Sequence, residues 1–154
     1  MHSNKEEIEG IRMGMAYEKA VELYLEKLVE RGTNPSNHGT LDDPDGYGKI
    51  TGICGDTVEM FLKIRDKKVE KVKFVTDGCM FAVASCSVAA EMAEGKTVEE
   101  CIESITQSAI LATLKRMPKD HEHCALLASL AIQKALRKYV KELRYESIIR
   151  KKTA

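Results

Sequence analysis

The sequence contains no tryptophan and only three phenylalanines among its 154 residues. Lysine and arginine together number 24, and aspartate and glutamate also number 24, so the net charge at neutral pH is zero. Proteins that bind nucleic acid through bulk charge need an excess of basic residues, and proteins that stack bases need aromatic side chains. We therefore expect no nucleic-acid partner.

Long apolar segments are also missing. The longest nearly apolar stretch covers residues 79–90, which is shorter than the ~20 residues that a membrane-spanning helix needs. Residues 1–10 are polar and acidic, unlike a secretory signal peptide. The sequence therefore predicts no membrane association and a reducing, cytoplasmic location, where disulfides are rare.

The length predicts one domain, because domains usually contain roughly 100–200 residues. Residues 1–14 lack an apolar period and are interpreted as a flexible N-terminal extension. Residues 15–145 form the predicted domain, and residues 146–154 form a basic C-terminal tail.

Apolar periodicity predicts a helix near the start of the domain, a hairpin in the middle and helices thereafter. Apolar residues that recur every three or four positions predict a first helix that begins near residue 15 and ends at Gly32. Alternating apolar residues predict two antiparallel strands, with a third strand at an edge. Thr97 and Glu100 form a capping-box pattern, which predicts a helix start. The predicted strands cover residues 48–53, 57–65 and 69–76, and the later helices cover 80–94, 98–105, 108–117 and 123–145.

The five cysteines are an odd number, so they cannot all pair within one chain. In a reducing compartment, unpaired cysteines indicate metal binding or thiol chemistry. Cys86 and Cys101 lie within predicted helices and are interpreted as core residues. Cys54, Cys79 and Cys124 lie where one predicted element gives way to the next, which makes them the candidate functional thiols.

Two of these three cysteines, Cys79 and Cys124, lie at predicted helix N-termini. The unpaired N–H groups and the positive end of the helix dipole lower the pKa of a thiol there. We therefore expect both to be thiolates, the form that binds metal.

Other candidate ligands lie next to these cysteines. Asp56 follows Cys54 by two residues, and His123 directly precedes Cys124. Three thiolates with a carboxylate or an imidazole can close a tetrahedral zinc site or hold a [2Fe–2S] cluster. The cysteines are separated by 25 and 45 residues, so the spacing alone leaves both alternatives open.

Five short motifs resemble, in order and spacing, those of the IscU/NifU N-terminal family of iron–sulfur cluster assembly scaffolds. The resemblance covers roughly residues 15–140. The motifs are Asn34-Pro35-Ser36-Asn37-His38-Gly39, Cys54-Gly55-Asp56, Gly78-Cys79, Gly95-Lys96-Thr97-Val98-Glu99-Glu100 and His123-Cys124.

The resemblance implies an α+β fold, with about five helices packed on one side of a three-stranded antiparallel sheet. It implies that Cys54, Cys79 and Cys124 are cluster ligands and sulfur acceptors. Asp56 would be the carboxylate that makes the cluster labile, and His123 would be an adjacent or alternative ligand. The implied protein is a scaffold rather than an enzyme.

The implied partners are a cysteine desulfurase that supplies sulfur and the apoproteins that receive a [2Fe–2S] cluster. Zinc is an alternative occupant of the site in the cluster-free or as-purified protein.

A second hypothesis is a zinc-bound sulfurtransferase of the SufU type, which accepts persulfide without building a cluster. The absence of the SufU insertion and the presence of His123 favour the scaffold. Three thiolates per chain also leave room for a homodimer.

The sequence departs from the family pattern at two places. Bacterial members have Leu-Pro-Pro-Val-Lys before the His-Cys pair and thereby recruit a chaperone, whereas this chain has Met117-Pro118-Lys119-Asp120-His121. Release assisted by that chaperone is therefore not predicted. His121 replaces the family's lysine and adds a second imidazole beside the predicted site, although we interpret it as a solvated loop residue. Phe81 is bulkier than the family's small residues after Gly-Cys.

Overall fold

The computed structural model of the chain describes residues 17–153, so the predicted extension over residues 1–14 lies outside the described part. Three antiparallel strands and five α-helices make up that part, as the predicted α+β fold requires. In chain order they are α1 (Tyr17–Thr33), β1 (Gly46–Thr51), β2 (Thr57–Arg65), β3 (Lys68–Thr76), α2 (Met80–Ala93), α3 (Val98–Ser104), α4 (Gln107–Leu114), a 3-10 helix (Lys119–His121) and α5 (Glu122–Thr153).

The sheet has the order β1-β2-β3, and both strand pairs are antiparallel. The predicted hairpin is confirmed: a two-residue turn joins β2 to β3, and Asp66 and Lys67 both have positive φ there, at 53° and 64°. Such a turn matches the natural twist of the two strands. The register pairs Thr51 with Thr57 and Val58 with Thr76. The end of β1, the start of β2 and the end of β3 therefore meet at one end of the sheet.

The helices bury the sheet's apolar face. In β2 and β3 the alternating residues Val58, Met60, Leu62, Val72 and Phe74 are fully buried, as the period of two predicts. Helix α5 packs against β1 and β2, while α2 packs against β3, α5 and α1. The core of the domain lies between these layers.

The segment between α1 and β1 covers the edge of β3. The Phe74 N–H donates to the Asn37 carbonyl at 3.0 Å, and the Gly39 N–H donates to the Phe74 carbonyl at 2.8 Å. The buried Asn37 amide donates to the Val72 carbonyl at 3.0 Å and to Glu94 at 3.1 Å. The first of the five motifs thus has a structural role, because it occupies a strand edge that would otherwise be unpaired.

The last helix is longer than the sequence predicts. We expected it to end near Tyr145, but it continues to Thr153 and includes most of the predicted basic tail. Its last turns are exposed, so no apolar period marks them, and their lysine, arginine and glutamate residues are good helix formers. Within residues 17–153, no helix is long and apolar enough to cross a membrane.

Candidate metal centre

Three segments converge at the end of the sheet where β1 ends and β2 begins. The first is the turn between these strands, which carries Cys54 and Asp56. The Gly55 N–H donates to the Gly52 carbonyl at 3.0 Å, and the Gly52 N–H donates to the Asp56 carbonyl at 2.8 Å. Gly55 has a φ of +90°, which a residue with a side chain rarely adopts. Cys54 is exposed in this turn.

Gly78 brings the second segment next to the first. A Cβ at this position would lie 3.2 Å from Asp56 Oδ2 and 2.6 Å from the Ala82 Cβ. Only glycine therefore leaves room for the Asp56 carboxylate and the Ala82 methyl group. The Thr57 N–H also donates to Asp77 Oδ1 at 2.7 Å, which ties the start of β2 to the residues after β3. The Asp56 carboxylate therefore lies beside the backbone that leads into Cys79.

Cys79 is the N-cap residue of α2, as its predicted position at a helix start requires. Its backbone is extended, and its side chain makes no capping hydrogen bond. The exposed Cys79 sulfur lies 3.8 Å from His121 Nδ1, in the 3-10 helix that precedes α5. The thiol therefore faces the third segment.

The sulfur atoms of Cys79 and Cys124 and a ring nitrogen of His121 lie within 4.8 Å of one another. In a tetrahedral zinc site, Zn–S bonds of about 2.3 Å and Zn–N bonds of about 2.0–2.1 Å place sulfur and nitrogen about 3.6 Å apart. The observed 3.8 Å between Cys79 Sγ and His121 Nδ1 is close to that value. The three side chains can therefore hold one metal ion after small adjustments.

Cys124 differs from our expectation. It is the third residue of α5 rather than the cap, and only 2% of it is exposed. Burial raises its pKa to about 12, and the nearby Cys79, Asp56 and Cys54 act in the same direction. The expectation of a low-pKa thiolate at Cys124 is therefore wrong for the metal-free protein. A buried thiol of this kind loses its proton only when a bound metal cation supplies compensating charge.

The remaining predicted site residues lie around this group. Asp56 and Cys54 are close enough to Cys124 to raise its pKa. A Cβ added to Gly52 would lie 3.5 Å from the Cys54 sulfur and 3.5 Å from the Leu127 methyl groups of α5. His123 is exposed, and its Nε2 lies 3.9 Å from Cys124 Sγ.

The sequence offered His121 as a second imidazole beside the site, but the solvated loop position that we favoured for it is wrong. Its side chain is 32% exposed, and it contacts Cys79 rather than standing free in solvent as a loop residue. One signal was present: His121 precedes Cys124 by three residues, which is about one helical turn. That spacing brings two side chains to the same face once the 3-10 helix runs into α5.

The other two cysteines are buried, as predicted. Cys86 and Cys101 have no exposed surface. Cys101 Sγ donates to the Ala93 carbonyl at 3.5 Å, and burial raises its pKa to about 11. Burial also raises the pKa of Cys86. Both therefore remain neutral thiols at physiological pH.

Together, fold and site define an α+β domain with a thiol–imidazole group at one end of its sheet. A family described as "NifU-like N terminal domain" matches residues 23–145. The chain is 38% identical over 121 residues to "Iron-sulfur cluster assembly scaffold protein IscU 1" of Archaeoglobus fulgidus, covering 78% of each. It is 39% identical over 121 residues to "Iron-sulfur cluster assembly scaffold protein IscU" of Azotobacter vinelandii, covering 75% of this chain and 93% of that one.

A solved structure supports the same fold. The N-terminal part of a nitrogen-fixing NifU-like protein from Brucella abortus superposes with a TM-score of 0.65 at 23% identity, covering 78% of this chain and 96% of that one. The chain belongs to the NifU-like N-terminal domain family.

Proposed function

We propose that this protein is a scaffold on which an iron–sulfur cluster is assembled and from which it is passed to other proteins. The observation that carries the proposal is the open thiol group, in which Cys54 and Cys79 are exposed beside the buried Cys124. Structural metal sites are usually closed by four ligands away from solvent. A site with exposed thiols suits a cargo that must enter and leave, and two relatives named as cluster assembly scaffolds support this role.

The proposed chemistry begins with sulfur transfer. A thiolate of the site attacks the outer sulfur of a persulfide on a cysteine desulfurase, a new protein persulfide forms, and the desulfurase thiolate leaves. Ferrous iron then binds, and an external reductant supplies the electrons that convert persulfide sulfur to sulfide. Cys54, Cys79 and Cys124 would hold the resulting [2Fe–2S] cluster, and Asp56 or the imidazole of His123 would fill its fourth terminal position. No small-molecule substrate is turned over, so we class the protein as a scaffold rather than an enzyme.

Single cysteine substitutions test this proposal. We expect Cys54→Ala, Cys79→Ala and Cys124→Ala each to lose the visible absorbance of a cluster after anaerobic reconstitution with iron and sulfide. Cys86→Ala and Cys101→Ala are the matched controls and should retain it, because these thiols are buried in the core. Circular dichroism checks the fold of each variant. Retention of cluster by all three site variants would refute the ligand assignment.

A zinc-bound sulfurtransferase is the second candidate, because the Cys79–His121–Cys124 geometry also fits zinc. The two functions differ in what the protein holds when it is purified without oxygen. A colourless protein that contains only zinc, accepts persulfide and takes up no cluster would favour the second candidate.

Measurement of the molecular mass of the cluster-loaded protein in solution would also show whether a cluster bridges two chains in a homodimer.

A further inference from the structure

A groove runs between α5 and β1, the edge strand of the sheet. We call it the α5 groove; its volume is about 860 Å³, and the thiols do not line it. Its apolar lining consists of Ile50 from β1 and of Leu130 and Tyr145 from α5. Leu130 is 46% exposed and Tyr145 is 64% exposed. Apolar side chains that stay exposed in a concave surface are typical of a binding site.

Basic side chains surround this apolar lining. Lys134, Arg137, Lys138 and Lys141 line the α5 groove together with the acidic Glu142. Residues 130–152 contain eight basic and two acidic side chains, although the whole chain has no net charge. Positive charge is therefore concentrated on this part of α5, where it complements a partner that carries carboxylates.

The end of α5 extends beyond the residues that pack on the sheet. Every residue from 140 to 152 is exposed. An isolated helix shorter than about 12–15 residues is marginal in water, so a partner that packs along this segment would stabilise it. The family match ends at residue 145, and the last two turns of α5 therefore lie outside it.

We propose that the α5 groove binds an acidic amphipathic helix of a partner protein. The apolar side chains of that helix contact Ile50, Leu130 and Tyr145, and its carboxylates lie beside the basic residues of α5. Amphipathic helices commonly bind proteins in this way, with their apolar face in an apolar groove. The proposal goes beyond the proposed function, because it concerns a surface that the thiols do not form.

Two other occupants fit the α5 groove less well. A second copy related by a two-fold axis would bring the same basic residues against one another, and like charges repel. An anionic membrane would complement the charge. A flat bilayer surface does not, however, enter a concave groove whose lining includes the half-buried Ile50.

The basic residues of the groove differ in what holds them. Lys134 Nζ donates to a backbone carbonyl of β1 at 3.0 Å, and Lys138 Nζ lies 5.7 Å from the centre of the Tyr47 ring. Arg137 and Lys141 are exposed and lie about one helical turn apart. Substitution of Arg137 and Lys141 therefore changes the charge of the groove and leaves those two contacts with β1 in place.

Binding of a designed peptide to the full chain tests the proposal. The probe is a fluorescent helical peptide of about 18 residues, with leucine at every third or fourth position and glutamate at most others. We expect it to bind, with an affinity that falls as salt is added. Versions with lysine in place of glutamate, or with the leucines spread over all faces, should bind at least about tenfold more weakly. The largest NMR shift changes in the chain should lie at Leu130 and Tyr145.

Charge reversal in the chain is the second part of the test. Arg137→Glu combined with Lys141→Glu should bind the acidic peptide about tenfold more weakly, because two attractive contacts become repulsive. Lys19→Glu combined with Lys27→Glu is the matched control. It changes the net charge equally at exposed positions of α1 and should bind the peptide as the unsubstituted chain does. Circular dichroism checks the fold of both variants.

Three outcomes would overturn the proposal. The first is equal binding of the acidic and basic peptides, or equal binding by the two double variants. The second is a metal-free dimer in which Leu130 and Tyr145 are buried, which would make a second copy the occupant. The third is binding to phosphatidylserine vesicles without binding of the peptide. The test uses neither iron nor sulfide, so its result is separate from that of the proposed function.

Discussion

At the scale of single residues, the five cysteines differ in their access to solvent. Cys54 and Cys79 are exposed, and Cys86, Cys101 and Cys124 are buried. In the proposed function, a protein that delivers sulfur meets the two exposed thiols first. In the same function Cys124 would become a ligand only when a cation replaces its proton, because burial raises its pKa to about 12. Metal binding at this site should therefore release a proton.

Asp56 gives a prediction about cluster lifetime. Its carboxylate lies beside Gly78, next to the candidate ligand Cys79. A carboxylate is a harder and more exchangeable ligand than a thiolate, so it favours release of the cluster. We expect Asp56→Ala to hold its cluster longer and to transfer it more slowly to an apo-ferredoxin, as followed by visible absorbance. Asp42→Ala, which removes an exposed loop carboxylate, is the control. Equal or faster loss from Asp56→Ala would contradict the role.

Cys101 gives a prediction about alkaline stability. Burial raises its pKa from 9.0 to about 11, while the unfolded chain exposes the thiol and restores its ordinary pKa. Between pH 9 and 11 the unfolded state therefore binds fewer protons, and the free energy of unfolding falls as pH rises, by about 1 kcal/mol at pH 10 from this thiol. Urea unfolding of the metal-free protein at pH 8 and pH 10 measures the loss. Cys101→Ala should lose less over this interval, and an equal loss would contradict the assignment.

At the scale of elements, the contact between β1 and α5 depends on two glycines. A Cβ at Gly46 would lie 2.7 Å from the Ala135 carbonyl oxygen, and one at Gly48 would collide with the Ala131 carbonyl oxygen. The strand therefore lies directly against the helix backbone. Because α5 begins with Cys124 in its first turn, this contact also sets the distance between that sulfur and the β1–β2 turn.

Gly48→Ala tests this packing. Alanine suits a strand better than glycine does. We nevertheless expect the free energy of unfolding to fall by about 1–3 kcal/mol, because the added methyl group overpacks the contact between β1 and α5. Gly52→Ala is the control, since a Cβ there would make ordinary contacts at 3.5 Å. Chemical denaturation of both variants gives the comparison. A Gly48→Ala variant as stable as Gly52→Ala would show that the sheet and helix can separate at little cost.

At the scale of the whole molecule, local patterns predicted more than long-range ones. The hairpin and the Thr97 cap, whose hydroxyl accepts from the Glu100 N–H at 3.1 Å, follow from neighbouring residues and are confirmed. The high pKa of Cys124 depends on burial, and the contact of His121 with Cys79 depends on how the 3-10 helix packs against the start of α2. Sequence spacing contains neither. The end of α5 was missed because an exposed helix has no apolar period.

The convergence of three segments at one end of the sheet has a consequence for folding. An ion held by Cys79 and Cys124 closes a chain loop of 45 residues. By the chain-entropy relation used for disulfides, a permanent link of this length restricts the unfolded chain by about 4 kcal/mol. The ion is a removable cross-link of the same span. Under the proposed function, binding of the cargo and stability of the fold are therefore coupled, and unloading lowers the free energy of unfolding.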